Sequence, residues 1–212
     1  MTAGPVTVTS RKAERPTQRL FIAIDPSAEA AEHLGGIVDR LRVSLANAPG
    51  RSTRLTRREN WHITLAFLGD VPTTRVSVAA AVMQEVAAGA VPLRLCVAGG
   101  GTFGGRRDPI LWAGIGGEVD GLRRLARLLQ RALRRARLPV DERPPRPHLT
   151  IARPGSRVTP DDIATDVATL AGYEGPQWTA SVLHLMRSEI VQLPTGPAPK
   201  YTPVATALLG SA

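Results

Sequence analysis

Two short runs of the sequence place a histidine two positions ahead of a threonine inside an apolar stretch. Residues 62–66 read His-Ile-Thr-Leu-Ala, residues 148–152 read His-Leu-Thr-Ile-Ala, and the two histidines lie 86 residues apart. In each copy a glycine follows the histidine by seven positions. A single histidine of this kind is most often a satisfied residue of the core or of a strand edge. The repetition of residue type, spacing and context instead favours a shared function.

Each histidine should share a strand face with its threonine, because side chains at positions i and i+2 point to the same side of a strand. His62 and Thr64 would then form one polar pair, and His148 and Thr150 a second. If two similar lobes pack about a pseudo-twofold axis, both pairs face one cleft.

Two imidazoles and two hydroxyls suit the acid–base cleavage of a phosphodiester without a metal. A neutral histidine can take a proton from the attacking oxygen while a protonated histidine gives one to the leaving oxygen. Both states are accessible because the unperturbed histidine pKa is about 6.5. Threonine hydroxyls can donate hydrogen bonds to the nonbridging phosphate oxygens. A zinc centre is the rival interpretation, but neither motif brings Cys, Asp or Glu at ligand spacing, so no metal and no cofactor are predicted.

Strand and helix patterns alternate along the chain. RLFIAI (19–24) is typical of a strand, and the next pattern predicts one helix from Ser27 to Leu45. Further strands are predicted at HITLAFLG, VPLRLCVAG, PILWAGI, HLTIA and YTPVATALL, with a long strand or a hairpin at QWTASVLHLMRSEIVQL. Further helices are predicted at PTTRVSVAAAVMQEVAAG, EVDGLRRLARLLQRALRRARL and TPDDIATDVATLAG. The arginine-rich helix has one apolar face, formed by Leu122, Leu125, Leu129 and Leu133. This order predicts an α/β (α+β) architecture of two similar lobes.

The composition is that of a globular protein with a strong surplus of arginine. The formal net charge is +9, and Lys12 and Lys200 are the only lysines. The surplus favours a polyanionic partner such as RNA or a nucleotide, although such a charge is also common in proteins that bind no nucleic acid. Cys96 has no partner for a disulfide within the chain, which fits a reducing, cytoplasmic setting. No apolar run approaches the roughly 18 residues of a membrane span.

The paired motifs resemble those of the 2H phosphoesterase superfamily. Within it, the chain is most similar to the bacterial and archaeal RNA 2′,3′-cyclic phosphodiesterases, also known as 2′-5′ RNA ligases. The resemblance spans about residues 19–209 and rests on RLFIAI, ENWHITLAFLGD, GGGTFGG followed by PILWAGI, RPHLTIAR, LHLMRSEI and GPAPKYTPV. The paired motifs are specific to the superfamily, and the flanking stretches point to this branch.

This resemblance implies a fold of two pseudo-symmetric lobes, each a sheet plus helices, around a central cleft that both His-x-Thr pairs face. The implied reaction is hydrolysis of the 2′,3′-cyclic phosphate at an RNA end to a 2′-phosphomonoester, with reversible 2′-5′ joining as a secondary activity. By position His62 corresponds to the proton donor and His148 to the proton acceptor, although the symmetric sequence does not distinguish the two roles. Thr64 and Thr150 carry over as phosphate contacts, and Arg153 is a third candidate.

The domain prediction is a single bilobal domain at residues 19–212, preceded by a flexible tail at 1–18. Its internal duplication would divide it into halves of roughly 19–100 and 101–212. The chain is expected to act as a monomer on RNA ends, with no membrane and no obligate protein partner.

The block GGGTFGG formally satisfies G-x-G-x-x-G through Gly99, Gly101 and Gly104. A dinucleotide-binding fingerprint needs a helix immediately afterwards, whereas here a proline and a predicted strand follow. We therefore reject that interpretation and predict a loop or a bulged strand. Arg106 or Arg107 beside it is a candidate RNA contact.

Several other residues receive structural interpretations. His33 and His184 have no motif around them. The helix arginines are expected to be a solvated face that could also attract RNA; they are Arg123, Arg124, Arg127, Arg131, Arg134, Arg135 and Arg137. Aromatic residues that could stack a base but more often belong to a core are Phe21, Phe67 and Trp112. Tyr201 is a candidate for lining the cleft.

Two alternatives to the RNA cyclic phosphodiesterase stay open. One is a non-catalytic RNA-binding protein that only holds phosphate, and the other is a cyclic phosphodiesterase that acts on a small nucleotide. Two titrating histidines argue against simple binding, because binding has no need of them.

Overall fold

The computed structural model describes residues 16–45, 53–105, 109–155, 158–194 and 196–210. Of the predicted tail at 1–18, residues 1–15 lie outside the described residues, and so do Arg106 and Arg107. The first strand begins at Thr17, two residues earlier than predicted.

Nine strands and five helices, with two short 3₁₀ turns, make up the described chain. The strands are β1 (Thr17–Ile24), β2 (Arg54–Leu55), β3 (Ile63–Pro72), β4 (Leu93–Phe103), β5 (Ile110–Gly117), β6 (His148–Arg153), β7 (Trp178–Ala180), β8 (Val182–Leu193) and β9 (Gly196–Leu208). The helices are α1 (Ala28–Val38), α2 (Arg42–Leu45), α3 (Val76–Ala88), α4 (Val119–Arg135) and α5 (Pro160–Ala171). The strands form a four-stranded sheet in the order β3-β1-β8-β9 and a five-stranded sheet in the order β2-β6-β5-β4-β7. The predicted α/β fold with two lobes is confirmed.

Each sheet takes strands from both sequence halves. Within 19–100 the order β1-α1-β3-α3 ends in β4, which pairs with β5 of the other half. Within 101–212 the order β5-α4-β6-α5 leads to β8, which pairs with β1. This exchange gives β1 and β5 a neighbour on both sides, so neither leaves an edge of unpaired backbone groups. Neither sheet therefore coincides with one of the predicted halves.

The helices cover the sheets over one continuous core. α3 packs against β8 and β9, α4 against α3 and β3, and α5 against β4 and β5. The predicted apolar face of α4 is confirmed, because the four leucines predicted to form that face are buried. Burying one such side chain stabilises the folded state by about 1.5–3 kcal/mol. No helix in the described part of the chain is long and apolar enough to cross a membrane.

The single helix predicted from Ser27 to Leu45 is wrong. Ser27 does begin it, because its hydroxyl accepts a hydrogen bond from Ala30 N at 3.1 Å. The helix stops at Val38, and a separate short turn, α2, follows. The carboxylate of Asp166 in α5 accepts hydrogen bonds from the backbone N–H groups of Arg42 and Val43 at 2.7 and 3.0 Å. This buried carboxylate fixes α2 from a distant part of the chain, so the local apolar pattern did not reveal the break.

The predicted bulged strand at GGGTFGG is confirmed as the second half of β4. The register against β5 shifts between Val97 and Gly100, and Gly99 has a φ of 73°, a conformation that favours glycine. A Cβ on Gly101 would lie 2.6 Å from the ring of Trp112. The glycines therefore let the strand bend and let an indole lie flat on it.

Candidate active site

His62 immediately precedes β3, the edge strand of the four-stranded sheet. The predicted alternation is confirmed, since Ile63 and Leu65 are buried in the core while His62 and Thr64 are half-buried on the other face. The Nδ1–H of His62 donates to the carbonyl oxygen of Asn60 at 2.7 Å. The imidazole packs against two aromatic rings, with centroid distances of 4.7 Å to Phe21 and 5.0 Å to Tyr201. These contacts hold the ring in one orientation.

His148 begins β6 in the other sheet and repeats this arrangement. Its Nδ1–H donates to the carbonyl oxygen of Arg146 at 2.6 Å, again two residues before the histidine. Its ring meets Phe103 edge-on at 4.8 Å, and Phe103 in turn stacks on Trp112 at 5.0 Å. The duplicated sequence pattern is therefore matched by a duplicated geometry.

The backbone bonds decide which ring nitrogen can react. A carbonyl oxygen only accepts hydrogen bonds, so Nδ1 must carry the proton in both His62 and His148. In each ring this leaves Nε2 as the atom that gains or loses a proton. A neutral ring then offers a lone pair at Nε2, and a protonated ring offers an acidic N–H there.

Burial lowers the pKa of both histidines, and the carbonyl bonds oppose this effect. The charge of His148 also lowers the pKa of His62, whereas the carboxylate of Asp25 raises it. The two imidazoles are therefore close enough to interact electrostatically, although they belong to different sheets. The structure brings the two predicted catalytic residues together.

Asp25, which follows β1 directly, is a site residue that sequence reasoning missed. Besides acting on His62, its Oδ2 lies 3.6 Å from Nε2 of His184. His184 stands opposite Ala23 across the β1–β8 ladder. The available signal is a carboxylate directly after the RLFIAI strand.

Thr64 and Thr150 occupy equivalent positions in the two sheets. Thr64 stands opposite Ala23 of β1, and Thr150 stands opposite Trp112 of β5. Both side chains are half-buried, and neither hydroxyl has a hydrogen-bond partner among the described residues. Neither hydroxyl would have to give up a bond to another described residue in order to bind an incoming group.

Arg153 ends β6 with an exposed side chain. Burial raises the pKa of Tyr201, and the positive charges of Arg153 and Arg19 oppose this shift. Because Tyr201 touches His62, Arg153 of one sheet reaches the surroundings of a histidine in the other. Tyr201, which the sequence analysis placed at the cleft, contacts His62 directly. Arg19, whose guanidinium lies 4.8 Å above the ring of Phe67, is a further cation that the sequence did not single out.

The remaining histidine and aromatic residues considered in the sequence analysis make contacts typical of structural residues. His33 bonds through Nδ1 to the Tyr173 hydroxyl at 2.8 Å, on the surface of α1. Phe21 is buried, as expected of a core aromatic residue, and Phe67 and Trp112 are half-buried. Within the described residues no group of three or more His, Cys, Asp or Glu side chains could hold a metal ion.

Comparison with known proteins agrees with this geometry. The family model of the 2′-5′ RNA ligase superfamily matches residues 25–190, which include both histidine motifs. The chain belongs to the 2′-5′ RNA ligase superfamily. The resemblance inferred from the paired motifs is thereby confirmed.

Two relatives of this chain are both named RNA 2′,3′-cyclic phosphodiesterase. An RNA 2′,3′-cyclic phosphodiesterase of Geobacillus stearothermophilus is 39% identical over 134 residues, which are 63% of this chain and 41% of that protein. One of Methanothermobacter thermautotrophicus is 28% identical over 183 residues, which are 84% of this chain and 93% of that protein. In fold, the chain is similar to Escherichia coli LigT complexed with 3′-AMP, with a TM-score of 0.69 at 24% identity over 92% of this chain and 99% of that one. The region matched by this chain therefore spans less than half of the first relative and nearly all of the second.

Proposed function

We propose that this protein hydrolyses the 2′,3′-cyclic phosphate at RNA ends to a 2′-phosphomonoester. The observation that carries the proposal is the pair of half-buried histidines, each with Nδ1 held by a carbonyl and Nε2 left to exchange a proton. The names of the superfamily relatives support RNA as the substrate class.

In the proposed mechanism His148 is the base and His62 the acid. Nε2 of neutral His148 takes a proton from water, and the water oxygen attacks phosphorus. The bond from phosphorus to the 3′ oxygen breaks, and Nε2–H of protonated His62 gives its proton to that oxygen. A 5′-hydroxyl in place of water would instead give a 2′-5′ linkage, which is the secondary joining activity we propose.

The electrostatic surroundings support this division of roles. Burial lowers the pKa of both histidines, but at His62 the carboxylate of Asp25 opposes this effect and favours the protonated form. Within the described residues no carboxylate acts on His148 in the same way, and burial lowers its pKa, which favours the neutral base. The carboxylate beside His62 therefore favours the acid role there, and its absence from the described surroundings of His148 favours the base role.

The remaining site residues would hold the phosphate. The free hydroxyls of Thr64 and Thr150 can donate to the nonbridging oxygens, where negative charge grows as the attacking oxygen bonds. Arg153 adds a positive charge beside them. All of these groups come from one chain, which supports a monomer as the active form, and the buried single thiol of Cys96 is compatible with a reducing cytoplasm.

The direct test uses an oligonucleotide that ends in a 2′,3′-cyclic phosphate, incubated with the protein and EDTA. We expect a 2′-phosphate product, identified by chromatography against both isomers, at a rate that EDTA leaves unchanged. A 3′-phosphate product would refute the assignment of the bond that breaks. Binding without any product would favour the non-catalytic RNA-binding protein instead.

Replacing either threonine by valine removes a hydroxyl and keeps the shape of the side chain. We expect Thr64→Val and Thr150→Val each to lower kcat/KM by about 10- to 100-fold, because a donor to the developing phosphate charge is lost. The measurement is steady-state kinetics on adenosine 2′,3′-cyclic phosphate. Thr102→Val, an exposed position on β4, is the matched control and should be unchanged. Wild-type kinetics in both site variants would exclude the threonines from phosphate binding.

A further inference from the structure

The solvent-exposed face of α4 carries a band of arginines. We name Arg123, Arg124, Arg127, Arg131, Arg134 and Arg135 the arginine stripe; all six side chains are exposed. At 3.6 residues per turn they fall within an arc of about 120°, and at 1.5 Å per residue they extend over about 18 Å. At about 3.4 Å per phosphate along one strand of a duplex, that length matches about five phosphates.

The stripe is poorly balanced by acidic residues. The sequence has no Asp or Glu between Asp120 and Asp141. Asp120 pairs with Arg123 at 3.0 Å, and Glu142 pairs with Arg134 at 3.5 Å. In the described part of the chain no carboxylate pairs with the other four stripe arginines, although neighbours of like charge three or four residues apart destabilise a helix. Folding alone does not account for that arrangement, whereas a bound polyanion would relieve it.

The stripe is continuous with the rim of the candidate active site. The loop from α4 to β6 packs back on the helix, where Gln130 Nε2 donates to the carbonyl oxygen of Arg143 at 3.4 Å. The same loop reaches the edge strand β3, where Asp141 N donates to Phe67 O at 2.8 Å. It ends at Arg146, whose carbonyl holds His148. Exposed Arg143 and Arg146 thus lie between the stripe and the catalytic histidines, although Asp141 partly neutralises Arg143.

The geometry points to an RNA strand as the ligand of this surface. We propose that the phosphate backbone of the RNA leading away from the cleft passes the loop and lies along the arginine stripe. A membrane surface fits less well, because the leucine face of α4 is buried against the core and Leu128 is the one large apolar side chain that α4 exposes. The direction of the strand rests on the proposed function, since it assumes that the RNA end occupies the cleft.

The test compares two triple variants with the same loss of charge. One removes three unpaired stripe residues, as Arg124→Gln, Arg127→Gln and Arg131→Gln. The control removes three exposed arginines around α1 and α2, as Arg40→Gln, Arg42→Gln and Arg58→Gln. Glutamine keeps a high helix propensity, and thermal unfolding checks that each variant is folded. The readouts are turnover of adenosine 2′,3′-cyclic phosphate, turnover of an RNA of about 20 nucleotides with the same end, and fluorescence anisotropy of that RNA with a 3′-hydroxyl.

We expect the stripe variant to raise the Kd and the KM for the long RNA by about tenfold at low salt, with turnover of the mononucleotide unchanged. For a single strand, each phosphate contact contributes about 0.7 to the slope of log Kd against log salt concentration. The loss of three contacts should therefore reduce this slope by about 2. The control variant should stay within about twofold of wild type for all substrates.

Other outcomes would overturn the proposal. Equal losses in both triple variants would mean that net charge alone attracts RNA. Unchanged RNA binding in the stripe variant would exclude an RNA track on α4. So would a loss found only in a separate sedimentation assay with phosphatidylserine vesicles. If neither substrate is turned over, the proposed function fails, and the anisotropy measurement still decides whether the stripe binds RNA.

Discussion

His148→Ala should lower kcat for cyclic phosphate hydrolysis by about 10²- to 10⁴-fold, and His62→Ala should do the same. Each variant loses one of the two proton transfers, and the alanine leaves Thr64, Thr150 and the fold of each strand in place. Because the two histidines act in one step, the double variant should lose much less than the product of the two single losses. The measurement is single-turnover kinetics on an RNA with a 2′,3′-cyclic phosphate end.

His33→Ala is the matched control for these variants. His33 is exposed on α1, has Tyr173 as its one hydrogen-bond partner among the described residues, and lies outside the site, so its loss should leave kcat unchanged. Full activity in either His62→Ala or His148→Ala would rule out the paired acid–base mechanism.

A substrate with sulfur in place of the 3′ oxygen would separate the acid from the base. A thiolate leaves without needing a proton, because the thiol pKa of about 8.5 is far below that of an alcohol. We expect this substrate to restore most of the rate of His62→Ala and little of the rate of His148→Ala. The reverse pattern would exchange the two roles.

The pH dependence of kcat/KM should be bell-shaped, with its centre on the acid side of 6.5. One histidine must be neutral and the other protonated, so the rate falls about tenfold per pH unit beyond each limb. Burial lowers the pKa of both histidines, which moves both limbs to lower pH. Because the two charges interact, the limbs report the pair and not either residue alone. A flat profile, or a centre above 7, would contradict the assignment.

Asp25→Asn gives this profile a second test. The carboxylate of Asp25 raises the pKa of His62, so its removal should move the centre of the bell further towards acid. Asp39→Asn is the control, because Asp39 is an exposed carboxylate that pairs with Arg58 on the surface. An unchanged centre in Asp25→Asn would show that the carboxylate does not act on the site.

Much of this molecule follows from local patterns. The alternation at residues 62–66 and 148–152 predicts which side chains enter the core, because strand side chains alternate between faces whatever surrounds them. The leucines of α4 likewise repeat at helical spacing, and the duplicated histidines predict a shared site before any fold is known. These features depend on neighbours within a few residues.

What the local patterns left open depends on contacts between distant segments. The helix predicted to reach Leu45 ends at Val38 because Asp166 binds the backbone of the following turn. β4 of the first half pairs with β5 of the second, and β8 of the second half pairs with β1 of the first. These pairings give β1 and β5 a second neighbour, and no local pattern predicts them. Tyr201, Asp25 and Phe103 surround the histidines from strands that are far from them in sequence. The chain therefore specifies the histidines, their faces and, through the carbonyl two residues before each one, the ring nitrogen left to react. The approach of the two histidines and the direction of each pKa shift come from how the two sheets pack together.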